Sequence, residues 1–161
     1  LTTGQATATS QQGFKTKSTP FGSIPPQLNP IAHALVSNGT FVARGYAGDM
    51  KHLTGLMVEA LKHRGFAYLD VFQPCVTFNY LNTYDWFKER LYKLEEEGHN
   101  YTDRQRALEK SFEWGDRIPI GIFYREERPT YRDGFPHVKG MPLTKLRIED
   151  VDVTPILKSM M

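Results

Sequence analysis

The chain has one cysteine, Cys75, and so cannot build an internal disulfide framework. It has no run of 18 apolar residues and no leader of charged, apolar and small segments, which excludes membrane insertion and secretion as first readings. A cytoplasmic protein is expected. Charge of one sign is not in excess either: 20 basic and 18 acidic side chains leave a net charge of +2. No chain-wide field therefore favours nucleic acid or an anionic membrane as partner. No internal repeat is visible, and Leu1 stands where an intact start would have methionine, as if the sequence had been cut.

What is present suits one globular core, with 161 residues, 40% of them hydrophobic and 24% charged. The first thirty residues are rich in Thr, Ser, Gly, Gln and Pro and poor in apolar periodicity. They predict a flexible arm or a long ordered loop around a ligand. Asn29 and Pro30 make a good helix start, and "IAHALVS" a short helix stopped by Asn38 and Gly39. Residues 40–46 read as a strand. Asp49 can cap a helix that packs Leu53, Leu56, Met57, Ala60 and Leu61 along one face. The nearly continuous apolar run 66–72 predicts a strand covered on both sides in a parallel sheet. Strand, helix and strand over this length form a βαβ unit, so the class is α/β.

Farther on, "NTYDWFKERLYKLEEEGHN" reads as one helix with Phe87, Leu91 and Leu94 on one side. Thr102 and Gln105 suggest a capping box for a second helix through Trp114, and residues 118–127 a further strand. Beyond Pro129 the chain is rich in turn residues and ends in "TPILKSMM". The expected organisation is a domain over 1–130 and a loop-rich tail over 131–161.

Cys75, in "QPCVTFN", falls just past the carboxyl end of a predicted parallel strand, the edge where ligands gather in open α/β sheets. Three readings stay open for it. It is a small core hydrophobe, a nucleophile whose base none of His33, His52, His63, His99 and His137 can be assigned to supply, or one corner of a metal site completed from elsewhere. In "LTTGQ", the hydroxyls of Thr2 and Thr3, the permissive backbone of Gly4 and the amide of Gln5 suit phosphate oxygens, or else form a frayed terminus. Lys15 and Lys17 in "FKTKSTPFG" face the same choice between an anion and a solvated turn. No strand before and helix after mark a P-loop there. Lys51, His52, Lys62, His63 and Arg64 make one helix basic at both ends. These residues form a solvated face or a docking site for an acidic protein, with Lys51 the docking candidate.

The ordered set "LTTGQ", "KTKSTPFGSI", "NPIAHAL", "FVARGY", "KHL", "QPCVTFN", "NTYDWFKERLYKLEEEGHN" and "IPIGIFYREERPTY" closely resembles the beta subunit of the 2-oxoacid:ferredoxin oxidoreductases. The resemblance covers nearly the whole chain and weakens after about residue 130. It implies the carboxyl-terminal part of a thiamine diphosphate-binding fold, a mostly parallel sheet flanked by helices with an irregular tail. It also implies CoA-dependent oxidative decarboxylation of a 2-oxoacid such as pyruvate or 2-oxoglutarate, with electrons passing through a [4Fe-4S] cluster to ferredoxin. By the same resemblance Leu1, Thr2, Gly4 and Gln5 match the end of the motif that closes over thiamine diphosphate and Mg2+. Cys75 matches the last ligand of the cluster.

Thr7, Ala8 and Thr9 stand where the family commonly has Ser-Pro-Thr, so the loop beyond that motif is expected to differ in shape. A Gly-Asp-Gly magnesium motif and a Cys-x-x-Cys pair are absent from this sequence. The implied partners are therefore an amino-terminal part of the beta subunit, which would carry the other three cysteines, and an alpha subunit. The chain alone is expected to bind neither cofactor well. Two rivals remain: a non-catalytic interaction domain with a structural Cys75, and a thiol-dependent enzyme with a depressed Cys75 pKa.

Overall fold

A computed structural model describes residues 4–135, 143–145, 147, 149 and 152–160. The chain divides into two compact units, Leu1–Arg128 and Pro129–Met161. The larger is an α/β unit built on a four-stranded mixed sheet of order β2-β1-β4-β3, with β1 at Phe41–Tyr46, β2 at Ala67–Phe72, β3 at Leu91–Lys93 and β4 at Ile118–Arg125. β1 runs parallel to β2, and β3 parallel to β4, while β4 runs antiparallel to β1.

Alternation along β1 sorts the core into two layers. Val42 packs with Phe123 against Ile31, Ala34 and Leu35 of α1 (Pro30–Val36) and Ala107 of α4 (Arg104–Ser111). Phe41 and Ala43 face the other way, onto Leu56 of α2 (Met50–Lys62). That approach is close. A Cβ on Gly45 would lie 2.5 Å from Leu53 Cδ1, so the glycine lets α2 lie on the strand.

The first half follows its local signals. Asn29 Oδ1 accepts from the Ala32 amide at 3.1 Å and opens α1, and Asn38, at φ +63°, lies just beyond its end. Asp49 Oδ1 accepts from the His52 amide at 3.1 Å and opens α2. On α2, Leu53 and Leu56 are buried and Ala60 is packed, but Met57 and Leu61 face outward, Leu61 being 87% exposed. The packed face is thus narrower than its spacing predicts. β2 is the second departure. Instead of being covered on both sides it forms one edge of the sheet, half-buried or exposed along its length.

The single helix expected across residues 82–100 is three pieces. α3 (Tyr84–Lys88) stops after five residues, β3 follows, and turns carry the chain onward. The Ile118 amide donates to Arg90 O at 2.9 Å and the Leu94 amide to Ile120 O at 2.9 Å, so the edge of β4 draws residues 91–93 into the sheet. The next helix starts one residue later than expected. Asp103, not Thr102, caps α4 by accepting from the Arg106 amide, and Thr102 bonds to Asn100.

The smaller unit contains a 3-10 turn at Tyr131–Gly134, closed by a reciprocal Thr130 and Asp133 cap, and a short helix, α5, at Thr154–Ser159. Much of the expected tail lies outside the described residues. Among those described, no helix is long and apolar enough to cross a membrane.

Candidate functional site

The opening arm is built as a hydrogen-bonded loop. The Leu28 amide donates to Ala8 O at 2.8 Å, the Gly13 amide to Ser23 O at 2.8 Å and the Ser23 amide to Phe14 O at 3.0 Å. In "FKTKSTPFG" the Thr16 and Thr19 hydroxyls lie 2.7 Å apart, engaged with each other inside the turn. The turn reading therefore accounts for that stretch.

This arm, the start of α1, the carboxyl end of β2 and the segment after α4 enclose a cavity of about 510 Å3. Its rim is fixed by the Asn29 side chain, whose Nδ2 donates to Ser111 O at 2.8 Å. Phe72 stacks on Phe87 at 4.9 Å and meets Trp114 edge-on at 5.8 Å, forming an aromatic wall. The volume lies in the range of small-molecule and cofactor sites.

Cys75 lines this cavity and is partly exposed. Residues 75–78 turn back on themselves, with the Asn79 amide donating to Cys75 O at 3.0 Å. Asn79 Oδ1 accepts from the Leu81 and Asn82 amides, both at 3.0 Å, and fixes the exit of the turn. Backbone hydrogen bonding from Phe78 and then Thr77 holds the thiol below its ordinary range, because N–H donors favour the thiolate. A turn whose amides stabilise a thiolate at a cavity edge fits a cysteine that binds metal, since the thiolate is the ligating form. Among the described residues no group of three His, Cys, Asp or Glu side chains lies together, so Cys75 offers one ligand only.

The turn also meets Gly4, although neither Gly4 nor Gln5 lines the cavity. Gly4 is buried against Phe78 with φ +73°, a left-handed conformation at a spot where a Cβ would lie tight against the ring. Gln5 is exposed. Leu1 and Thr2 lie outside the described residues. Lys51, exposed in the first turn of α2, does not line the cavity. Among the described residues, His33, His52, His63 and His99 do not line it either, and His137 lies outside the described residues. His63 is buried, with Nε2 2.9 Å from Thr40 Oγ1, and His99 Nε2 is 2.8 Å from Phe123 O.

A 2-oxoacid:ferredoxin oxidoreductase subunit beta from a Sulfolobus species is 48% identical to this chain over 144 residues, 83% of this chain and 47% of the relative. The subunit of the same name from Saccharolobus solfataricus is 42% identical over an alignment of 178 residues, covering 94% of this chain and 58% of the relative. The chain belongs to the 2-oxoacid:ferredoxin oxidoreductase beta-subunit family. Residues 75–140 match the family described as the C-terminal region of the pyruvate ferredoxin oxidoreductase beta subunit, so that match opens on Cys75 itself.

Among solved structures, the 2-oxoglutarate:ferredoxin oxidoreductase from Magnetococcus marinus, with 2-oxoglutarate, coenzyme A and succinyl-CoA bound, has a TM-score of 0.83. It is 28% identical, with coverage of 99% of this chain and 54% of that one. The chain spans about half the length of the curated beta subunits it matches.

Two site residues escape a reading by motif. Arg44 and Asp70 face each other in register across β1 and β2, and Arg44 Nε donates to Asp70 Oδ2 at 2.9 Å beside the cavity. The signal in the sequence was one opposite charge in each of two adjoining apolar strands, "FVARGY" and "FAYLDVF", where an ion pair is the economical explanation.

Proposed function

We propose that this chain supplies part of the thiamine diphosphate and [4Fe-4S] sites of a cytoplasmic 2-oxoacid:ferredoxin oxidoreductase. The proposed reaction is CoA-dependent oxidative decarboxylation of a 2-oxoacid to acyl-CoA and CO2, with electrons delivered to ferredoxin. The observation that carries this reading is Cys75, partly exposed at the edge of the cavity in the turn that the Asn79 amide closes. Cys75 is one cluster ligand, and the other three come from an amino-terminal part of the beta subunit. Leu1, Thr2, Gly4 and Gln5 are assigned to thiamine diphosphate and the diphosphate-bound Mg2+. The positive φ of Gly4 supports this, because such backbone lets a chain approach a ligand without a Cβ in the way.

When bound, thiamine diphosphate supplies the centre on which the 2-oxoacid loses CO2, and the cluster supplies single-electron transfer. The chain's own residues hold and exclude. Phe78 keeps the Gly4 backbone in place, the Cys75 turn presents the sulfur at the cavity edge, and the aromatic wall of Phe72, Phe87 and Trp114 limits water. The enzyme is completed by an alpha subunit, and Lys51 is offered to an acidic partner. Exposed Val76, Tyr80 and Leu81 around the turn support a covering segment from the rest of the subunit. Residues 1–130 form the catalytic unit and 131–161 a tail.

The test is the full-length beta chain, coexpressed anaerobically with its alpha subunit and assayed for 2-oxoacid- and CoA-dependent ferredoxin reduction. Turnover of pyruvate or 2-oxoglutarate supports the reading. A correctly assembled complex, loaded with both cofactors, that turns over no 2-oxoacid contradicts it.

A further inference from the structure

Arg44 is the side chain of this cavity with an unfinished hydrogen-bond complement. It sits within β1, a strand buried at all six positions, and its side chain is 3% exposed. Asp70 engages Nε. The rings of Phe72 and Phe123 lie 4.8 and 5.4 Å from its Cζ, and Nη1 is buried without a partner. The guanidinium charge is thus held in the cavity wall with one carboxylate beside it. Burying a guanidinium is costly unless its donors are well matched, and one carboxylate oxygen on Nε does not match them all.

The cavity's charge pattern narrows the acceptor. Among the described residues that line it, Arg44 is the only cation, and Asp70 is the only carboxylate. An anion entering here meets its counter-charge at Arg44. Inorganic sulfide and thiolate sulfurs are such acceptors, and hydrogen bonds to sulfur together with local charge set the potential of an iron-sulfur cluster.

We propose that Arg44 is the positioning cation of the iron-sulfur site: its guanidinium, in the wall of the cavity that Cys75 also lines, raises the reduction potential of the cluster that Cys75 ligates, with Asp70 tempering the effect. This rests on the assignment of Cys75 as a ligand. Reduction adds a negative charge, which a nearby cation stabilises and a nearby carboxylate opposes. The two members of the pair must therefore act with opposite sign. A pair that only holds the strands together would not do so.

The experiment is an EPR-monitored redox titration, with iron and sulfide analysis, of the anaerobically purified full-length complex. Its variants are Arg44→Gln, Arg44→Lys, Asp70→Asn and the double variant Arg44→Gln/Asp70→Asn. Arg44→Gln is expected to shift the potential negative, Asp70→Asn positive, and Arg44→Lys to retain most of the wild-type value. Wild-type potentials in loaded Arg44→Gln and Asp70→Asn overturn the proposal. Should Arg44→Gln fail to assemble, Asp70→Asn decides, and an unchanged or negative shift overturns the proposal. Cys75→Ala separates the two readings. Cluster loss there with no shift in Arg44→Gln leaves the ligand assignment standing and removes the role of Arg44. A full cluster there removes both.

Discussion

Gly4 lies against the ring of Phe78: a Cβ at position 4 would come within 3.2 Å of Phe78 Cδ1, and the residue holds φ +73°. The start of the chain and the Cys75 turn are thereby parts of one surface. Gly4→Ala adds left-handed strain of roughly 1–2 kcal/mol and displaces the ring. In the full-length complex thiamine diphosphate should bind about tenfold more weakly, the equivalent of ~1.4 kcal/mol. Wild-type affinity by calorimetric titration would mean that this backbone does not meet the cofactor.

The amides of Phe78 and Thr77 that favour the Cys75 thiolate make a prediction for the metal-free 161-residue chain. Alkylation by iodoacetamide should follow a titration curve centred below the ordinary value of a cysteine in the unfolded chain. Unfolding the chain in urea should return the curve to that ordinary value. Identical curves in the folded and unfolded chain would show that the turn does not present its amides to sulfur.

His63 gives a pH dependence whose sign is fixed. Burial, then the charge of Arg125, keeps its imidazole below the ordinary value of 6.5. Between the folded value and 6.5 the unfolded chain binds more protons, so stability rises with pH through that window and levels off above it. Thr40 gives its proton to Phe66 O, which leaves its oxygen to accept from His63 Nε2. Denaturant titrations of wild type and His63→Gln across this window should show the slope in the first and its loss in the second. An equal slope in both would assign the effect to another group.

The elements that local chemistry specifies were legible in the sequence. Asn29 with Pro30, and Asp49 with the Leu53 and Leu56 face, announced α1 and α2 because caps and buried faces act within a few residues. Residues 91–93 were not legible. Phe87, Leu91 and Leu94 keep helical spacing, yet Leu91 joins β3 because its partner is Ile118, far along the chain, and no local pattern encodes that pairing. β2 misled for a related reason. An apolar run reports what a strand packs against, and here it marks a sheet edge with only one paired neighbour among the described residues. At the candidate site, Cys75 stood out by its position after a strand, whereas Arg44 became visible only when register set it opposite Asp70.

The central claim is that Cys75 is a ligand of the iron-sulfur cluster, and iron and acid-labile sulfide analysis of Cys75→Ala tests it most directly. The variant should be made in the full-length beta chain, assembled with its alpha partner under anaerobic conditions. The expected result is a complex that assembles but has lost its cluster and the cluster's EPR signal. Wild-type iron and sulfide, with an unaltered signal on reduction, would contradict the claim.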